Sequence, residues 1–564
     1  MLSEGILRDD EVQVETTAIW FGNSARPQLG WLSLRPAGIG RSGIVIAPPV
    51  GYEYWSVHRS LRALAERLAR AGHCVLRIDY DGTGDSAGDQ WDEDRVRSWQ
   101  RTIETASAHL RGLGLEEITL LGARLGATFG LLAGSALKAT RIVAWLPISG
   151  RRYAKELRLL STPVPPDADP IVPPGTMAFA GSVFSAATIA DLRGVEVSGI
   201  TESPAPSILV IDEPTGPSEA VVSHLRSLGA EVSHLRLPGS EESLRTAPEF
   251  AIVPTAILDA ICDWMGDQTV NGTIGDEARD SVGRPVELAW REGAVIETVL
   301  RLAGQGHVGV LTEPVATAES APAPNSTTLV LLNPGSETHV GPGRAWVELA
   351  RDLALGGRRT IRIDFLGWGE SPDAGRAPGH PYDACCEQDT VAIVNDLRDA
   401  GFERVTICGL CAAPWIVLRV ASVAGAAGVI ALNPQMYWKR GDPVEIDWDV
   451  IRARRAAEIH RIERGARFGL WSVIDALGQR SPSARWLDEL SSIGIPVHIV
   501  FAENDDGLIY LRGRLRRRLS RVLRRGHVSV RELPGVDHPM HRTWMRPHVV
   551  QALSEALQDI DAHR

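Results

Sequence analysis

Two stretches of the 564-residue chain share a pattern that indicates its architecture: an apolar run, a tight turn and a helix start. They read Glu117-Ile-Thr-Leu-Leu-Gly-Ala-Arg-Leu-Gly126 and Arg404-Val-Thr-Ile-Cys-Gly-Leu-Cys-Ala-Ala413. An apolar run ending at glycine is typical of a buried strand, and small residues around one central residue let the next helix pack closely on it. The central residues, Arg124 and Cys411, lie 287 positions apart, so the pattern predicts an internal repeat.

Three further landmarks recur in the same order at nearly the same offset. An apolar run that enters a loop occurs at 43–50 and at 328–335. A glycine-rich turn after the next strand occurs at 79–86 and at 364–371, and a Leu-Pro-Gly near the end occurs at 237–239 and at 533–535. We therefore predict two domains, residues 1–265 and 286–564, with the boundary in 266–284. Strands that alternate with helices predict a mainly parallel sheet with helices on both faces in each domain.

A strand, a turn with a central nucleophile between small residues, and a helix together form the nucleophile elbow. On these landmarks the chain resembles a tandem α/β-hydrolase. The first copy is similar to exosortase-associated and biosynthetic-cluster hydrolase-like proteins, through Pro48–Tyr54, Asp79–Ser86 and Gly122–Gly126. The resemblance implies an α/β fold class with two tandem α/β-hydrolase domains. In the second domain, the Trp- and Arg-rich segment 434–490 is expected to form a helical lid.

The second copy keeps candidates for a catalytic triad in the order that the resemblance implies. Cys411 stands where the hydrolases usually have serine, Asp505 follows a late strand, and His538 comes last. Aspartate would hold the histidine tautomer, and histidine would take the thiol proton. Asp506 and His541 are the alternative acid and base. The structural alternatives are a thiol that only fills space, a loop histidine and a capping aspartate.

Backbone N–H groups would supply the oxyanion hole of this copy. The resemblance assigns them to Ala412 and to Gly335 or Ser336. A helix N-terminus and a nearby histidine can lower the pKa of a cysteine, which favours the reactive thiolate. Ala413 replaces the usual second glycine of the elbow and is a departure from the family pattern.

The first copy has no counterpart of this triad. Its elbow residue is Arg124, which cannot be an acyl nucleophile. Aligning Val210 with Val500 puts Thr215 in the place of the acid, and the Leu-Pro-Gly landmarks put Glu242 in the place of the base. We expect this copy to be catalytically dead. Arg124 is then either part of a structural ion pair or the centre of an anion-binding pocket.

Composition narrows the function classes. The net charge of −11 argues against a general nucleic-acid binder. Six cysteines in 564 residues do not predict a disulfide scaffold, and we expect neither a metal site nor a cofactor. The N-terminus shows no signal-peptide pattern, which favours a cytoplasmic protein. The apolar stretch 412–432 is expected to be a buried helix leading into a buried strand rather than a membrane span.

One basic run stands out in this acidic chain. Eight arginines lie between Arg512 and Arg525, with leucines and a valine at helical spacing among them. The run is either a solvated helix face or a docking surface for an acyl carrier protein or the phosphates of coenzyme A.

The sequence therefore predicts an acyl hydrolase, acting on esters or thioesters through Cys411, with a small-molecule acyl substrate. One alternative is an acyltransferase or acyl shuttle that uses carrier-protein or coenzyme A thioesters. The other alternative is a non-catalytic binding or scaffold protein. The loss of the triad in the first copy is consistent with such a role for the whole chain.

Overall fold

The computed structural model of the protein describes residues 13–36, 38–162, 164, 172–248, 250–270, 281–304, 306–316, 326–376, 382–435 and 482–563, without the side chains of 482–484 and 514–518. The chain forms two compact units. The first comprises residues 1–284 and 288–293, and the second comprises residues 285–287 and 294–564.

The first unit is built on an eight-stranded sheet in the order β1-β2-β4-β3-β5-β6-β9-β10. Strands β1 and β2, and β2 and β4, pair antiparallel, and the remaining neighbours are parallel. The strands are β1 Glu15–Asn23, β2 Arg26–Leu34, β3 Ser42–Ala47, β4 Cys74–Ile78, β5 Glu117–Ala123, β6 Arg141–Trp145, β9 Ser207–Asp212 and β10 Glu231–Arg236, with a small hairpin of β7 Met177–Phe179 and β8 Ser182–Phe184.

Helices of the first unit connect these strands. They are α1 Tyr52–Arg70, α2 Arg95–Gly112, α3 Leu125–Ala133, α4 Gly150–Leu160, α5 Ala186–Leu192, α6 Glu219–Ser227, α7 Ser240–Leu244 and α8 Thr255–Met265, with a 3-10 turn at Val197–Gly199. Strand β11 (Val286–Trp290) lies where the chain passes from the first unit to the second.

The second unit repeats the same strand order in β12-β13-β15-β14-β16-β17-β18-β19. These strands are β12 Gly293–Leu302, β13 His307–Pro314, β14 Thr328–Leu331, β15 Thr360–Ile363, β16 Val405–Leu410, β17 Gly428–Leu432, β18 Val497–Ala502 and β19 Val528–Leu533. Its described helices are α9 Ala345–Leu355, α10 Ala384–Asp399, α11 Ala413–Ala424, α12 Pro482–Ser492, α13 Asp506–Arg524 and α14 Arg546–Ala562, with 3-10 turns at Pro342–Arg344 and Thr543–Met545. The predicted α/β fold class, with two mainly parallel sheets flanked by helices, is confirmed.

Each sheet is buried on both faces, and alternate residues of one strand supply opposite cores. In β3, Ile44 and Ile46 join the cluster that packs on α1 and α8, whereas Val45 and Ala47 join the cluster that packs on α2 and α3. The second unit has the same two-sided arrangement around β14. This explains why the strands are continuous apolar runs in the sequence.

The apolar stretch 412–432 forms the buried helix α11 followed by the buried strand β17, as predicted. In the part of the chain that the structure describes, no helix combines the length and apolarity needed to cross a bilayer. Most of the predicted lid (436–481 of 434–490) and the middle of the predicted linker (271–280 of 266–284) lie outside the described residues.

Candidate functional site

Cys411 occupies a strained turn between β16 and α11. Its φ is 63°, a left-handed conformation that side chains other than glycine rarely adopt, and its backbone N–H donates to the carbonyl of Leu432 over 3.0 Å. Helix α11 begins two residues later with Ala413 and Pro414. Proline is well suited to the first turn, because N–H groups there have no intrahelical acceptor and proline has no N–H to leave unsatisfied. The half-buried Cys411 thiol therefore sits at a helix N-terminus.

The small residues around Cys411 are required by close backbone contact. A Cβ placed on Gly409 would lie 2.6 Å from the carbonyl carbon of Ala413. Ala413 itself is buried and still permits the turn, so its departure from the family pattern does not change the backbone at Cys411. Ala412 comes just before the first residue of α11, where backbone N–H groups lack intrahelical acceptors.

The structure brings the predicted acid and base together. Asp505 directly follows the turn after β18, and its Oδ2 lies 2.5 Å from Nδ1 of His538 in the loop after β19. Its other oxygen, Oδ1, accepts the backbone N–H of Gly507 over 2.7 Å and caps α13. The carboxylate is buried, so the cap and the histidine contact hold it in one orientation.

His538 also interacts electrostatically with Cys411, so the three predicted side chains lie near one another. Burial disfavours the charged imidazolium, but the interactions with Cys411 and Asp505 outweigh it. Together they raise the pKa of His538 from 6.5 to about 10. His538 is therefore favoured as the imidazolium, and a positive charge of this kind next to a cysteine makes it a better nucleophile.

The alternative acid and base have other environments. Asp506 is the first residue of α13, while the preceding Asp505 contacts the imidazole. Burial lowers the pKa of His541 to about 4, which leaves this side chain neutral near pH 7. Burial raises the pKa of the Cys408 thiol. The hydrogen bond that Cys386 donates to Cys385, together with burial, raises the pKa of Cys386.

Two residues at the end of β17 support the site and were missed from the sequence. Asn433 accepts the backbone N–H of Ala502 through Oδ1 over 2.5 Å and donates from Nδ2 to the carbonyl of His538 over 2.7 Å. The side-chain amide of Gln435 lies 3.1 Å from Nε2 of His538, and its backbone N–H donates to the carbonyl of Cys411 over 3.0 Å. They thus tie the elbow, β18 and the histidine loop together.

A buried carboxylate holds the loop that carries Gly335 and Ser336. Asp364, after β15, accepts hydrogen bonds from Nδ2 of Asn333 (2.8 Å), from the backbone N–H of His339 (2.7 Å) and from its ring Nδ1 (2.5 Å). Burial would raise the pKa of Asp364, but the charge of His339 and these hydrogen bonds lower it instead. The ionised aspartate therefore fixes both ends of the loop predicted to supply the oxyanion hole.

The equivalent elbow in the first unit has the same backbone but a different chemistry. Arg124 has a φ of 56°, and its N–H donates to the carbonyl of Trp145 over 2.9 Å. The buried guanidinium donates from Nε to Glu53 over 2.8 Å and from an Nη to Glu156 over 2.6 Å. Burial raises the pKa of Glu53 to about 7 against the opposing charge of Arg124. This is the structural ion pair expected as one alternative, whereas the anion pocket stays a prediction.

Strand pairing corrects the sequence alignment of the missing acid. Trp145 pairs with Ile211 in the first unit, and Leu432 pairs with Val500 in the second. Ile211, not Val210, is thus the counterpart of Val500, which moves the position of the acid from Thr215 to Gly216. The alignment was wrong by one residue because both strands are uniformly apolar and carry no internal marker of register. Neither Thr215 nor Gly216 has a carboxylate.

No metal-binding cluster of three or more His, Cys, Asp or Glu side chains occurs among the residues whose positions are described. No protein-family model and no curated protein matches the sequence.

Several solved structures are similar to part of the chain. Est1E from Butyrivibrio proteoclasticus with bound ferulic acid is 17% identical, with 44% of this chain and 98% of that chain covered and a TM-score of 0.35. A hydrolase described as putative from Agrobacterium vitis S4 is also 17% identical, with 44% and 98% covered and a TM-score of 0.31. Brefeldin A esterase, a bacterial homologue of human hormone-sensitive lipase, is 18% identical, with 47% and 78% covered and a TM-score of 0.30. It is the strand order of the two sheets that gives both units of this chain the α/β-hydrolase fold.

Proposed function

We propose that the protein is an acyl hydrolase, acting on an ester or thioester through Cys411 of the second unit. The observation that carries the proposal is the position of His538, whose Nδ1 lies 2.5 Å from Oδ2 of Asp505 and which also interacts with Cys411. This is the geometry of an activated nucleophile with an oriented base. The strained turn that presents the thiol at a helix N-terminus supports the same proposal.

The reaction would proceed in two steps. The Cys411 thiolate attacks the acyl carbonyl carbon, and the N–H groups of Ala412 and of Gly335 or Ser336 stabilise the oxyanion. The bond to the leaving oxygen or sulfur breaks, and the His538 imidazolium gives its proton to that atom, which leaves a thioester on Cys411. In the second step His538 takes a proton from water as the water attacks, and the thioester bond breaks to release the acid and restore the thiolate.

The first unit would contribute no acyl chemistry. Its elbow residue is a guanidinium paired with two carboxylates, and the positions of acid and base hold Gly216 and the exposed Glu242. We propose that this unit is a catalytically dead copy whose elbow has become part of its core.

The test is covalent trapping of the acyl-enzyme. A short-chain activated ester or thioester should add one acyl group per chain, detected by intact mass and mapped by peptide analysis to Cys411. Cys411→Ala should abolish the adduct. Cys385→Ala is the matched control, since a hydrogen bond with Cys386 lowers the pKa of Cys385 and a lowered pKa makes a thiol more reactive. An adduct that persists in Cys411→Ala contradicts the proposal.

An acyltransferase is the second candidate, and the lifetime of the adduct separates it from the hydrolase. Rapid decay in water alone indicates a hydrolase. Persistence until an amine, an alcohol or a carrier thiol is added indicates transfer. If no donor acylates Cys411 and a general thiol reagent modifies it no faster than Cys385, the remaining hypothesis is that the protein is a non-catalytic binding protein.

A further inference from the structure

Helix α13 joins the candidate site to the most basic part of the chain. It begins directly after Asp505, the carboxylate that contacts His538 and caps the helix. Between Asp506 and Arg524 it contains seven arginines and one acidic residue, whereas the whole chain has more acidic than basic residues, 70 against 59. Such a local excess of one sign of charge creates a field that attracts an oppositely charged partner.

The described arginines of this helix are poorly neutralised by the protein itself. The side chain of Arg512 is 63% exposed and lies 3.7 Å from Glu532, and that of Arg525, at the helix end, is 42% exposed and lies 3.6 Å from Asp488. Arg521 and Arg524 are exposed, and within the described part of the chain neither forms an ion pair.

The opposite face of α13 is fixed in the core of the second unit. Leu508, Leu511 and Val522 are buried there, and Leu519 and Leu523 pack against the same cluster. The helix is therefore held by its apolar face, and the exposed arginines Arg521, Arg524 and Arg525 can contact a partner without being needed to anchor it.

The length of the basic row selects the class of partner. At 3.6 residues per turn, positions 514, 517, 521, 524 and 525 fall on the side of α13 away from its buried leucines, whereas position 512 does not; from 514 to 525 the helix advances 11 residues, about 17 Å. One phosphate or pyrophosphate contacts only a few neighbouring arginines, whereas an acidic helix on a folded partner can face the whole row. A row that begins about 14 Å from Asp505 is also within reach of a flexible arm on the order of 20 Å long, such as phosphopantetheine.

We propose that helix α13 is the docking surface for an acidic acyl carrier domain, which delivers its acyl thioester to Cys411. The inference rests on the proposed function of Cys411 and adds the partner. The carrier would bind through carboxylates facing Arg521, Arg524 and Arg525, and its arm would extend along the helix towards the N-terminal end, where Asp505 and His538 lie.

The experiment compares a triple variant, Arg521→Gln with Arg524→Gln and Arg525→Gln, against the wild type. The matched control is Arg97→Gln with Arg101→Gln and Arg111→Gln, three exposed arginines on α2 that give the same change in charge. Each protein is assayed with an acyl-loaded acidic carrier protein, with acyl-coenzyme A and with the uncharged acyl-N-acetylcysteamine thioester. Binding of the unacylated carrier is measured separately by fluorescence anisotropy at low and high salt.

We expect kcat/KM for the acyl carrier to fall about tenfold or more in the α13 variant, as three exposed charge contacts would give. Turnover of the N-acetylcysteamine thioester should stay the same, and carrier binding should weaken with salt in the wild type and be weak in the variant at all salt concentrations. The α2 control should match the wild type.

Three results would overturn the docking surface. They are an unchanged kcat/KM for the acyl carrier, an equal loss for the N-acetylcysteamine thioester, which would indicate damage to the site, and an equal or larger loss for acyl-coenzyme A, which would indicate binding of phosphates. Failure of the proposed function is a different outcome, in which no donor acylates Cys411. The anisotropy measurement then still decides, because carrier binding that is absent or insensitive to α13 contradicts the surface on its own.

Discussion

Replacing Asp505 by asparagine tests most directly what supports the imidazolium of His538 beside Cys411. Asparagine keeps the shape of the side chain and an oxygen that can cap α13, but it removes the negative charge next to Nδ1 of His538. In the wild type the pKa of His538 is about 10 rather than 6.5, a difference that corresponds to on the order of 5 kcal/mol in favour of the imidazolium. Asp505 and Cys411 together supply this preference against the cost of burial.

The contribution of Asp505 can be estimated from its hydrogen bond. A hydrogen bond to a charged group is typically worth about 1.5–3 kcal/mol. Losing that charge should therefore reduce the equilibrium constant for protonation of His538 about 10–100-fold, which lowers the pKa of His538. Less positive charge then stands beside Cys411 above neutral pH, so Cys411 should be alkylated more slowly there than in the wild type.

The assay is alkylation by iodoacetamide across about pH 5 to 10, with the rate at each cysteine read by peptide mass spectrometry. Cys385 in the same molecule is the internal reference, since the pKa of its thiol depends on Cys386 rather than on Asp505. Asp506→Asn removes the same charge one residue later and should leave the Cys411 profile close to the wild type. Identical profiles for wild type and Asp505→Asn, within about twofold, would refute the reasoning and reduce Asp505 to a helix cap.

Two further substitutions test neighbouring parts of the argument. Gln435→Ala removes the amide nitrogen beside Nε2 of His538, from which the neutral ring accepts a hydrogen bond. Since one hydrogen bond contributes about 1 kcal/mol, hydrolysis of the acyl-enzyme, in which neutral His538 is the base, should slow about 3–10-fold; an unchanged rate contradicts a positioning role. Glu53 has its pKa raised from 4.5 to about 7, so its contribution to stability is fully present below about pH 4.5 and is lost as pH rises through 7. The free energy of unfolding of the first unit should therefore fall by on the order of 3 kcal/mol over that range, measured by hydrogen exchange of α1 amides in urea. Glu53→Gln keeps an acceptor for Arg124, and in this variant the free energy of unfolding should depend less steeply on pH. An unaltered pH dependence would show that other groups cause it.

Much of the architecture could be predicted from local pattern. Apolar runs ending in turns identified β3, β5, β14 and β16, and the helical spacing of leucines identified α1. These signals are strong because a strand buried on both faces must be apolar throughout and a packed helix must be apolar on one side. The order of Cys411, Asp505 and His538 along the chain was enough to select three side chains that the fold brings together.

The parts that could not be predicted depend on tertiary contacts. The carboxylates that pair with Arg124 lie 71 and 32 residues away along the chain, and nothing in the local sequence of Glu53 or Glu156 marks them as its partners. Gln435 contacts His538 only because Asn433 turns the chain with a φ of 47° at the end of β17. One signal was available: the Asn-Pro-Gln segment directly follows the strand next to β16, and asparagine tolerates positive φ better than most residues.

The two elbows separate what the turn does for the fold from what it does for chemistry. Arg124 and Cys411 share positive φ values of 56° and 63° and donate the same backbone hydrogen bond to the neighbouring parallel strand, although one is a paired guanidinium and the other a thiol beside an imidazole. The strain therefore persists where no nucleophile remains. Its cause is the close approach of strand and helix: a Cβ on Gly122 would lie 2.4 Å from the carbonyl carbon of Gly126. An elbow motif alone is thus evidence for the fold, and any activity has to be argued from the side chains around the central residue.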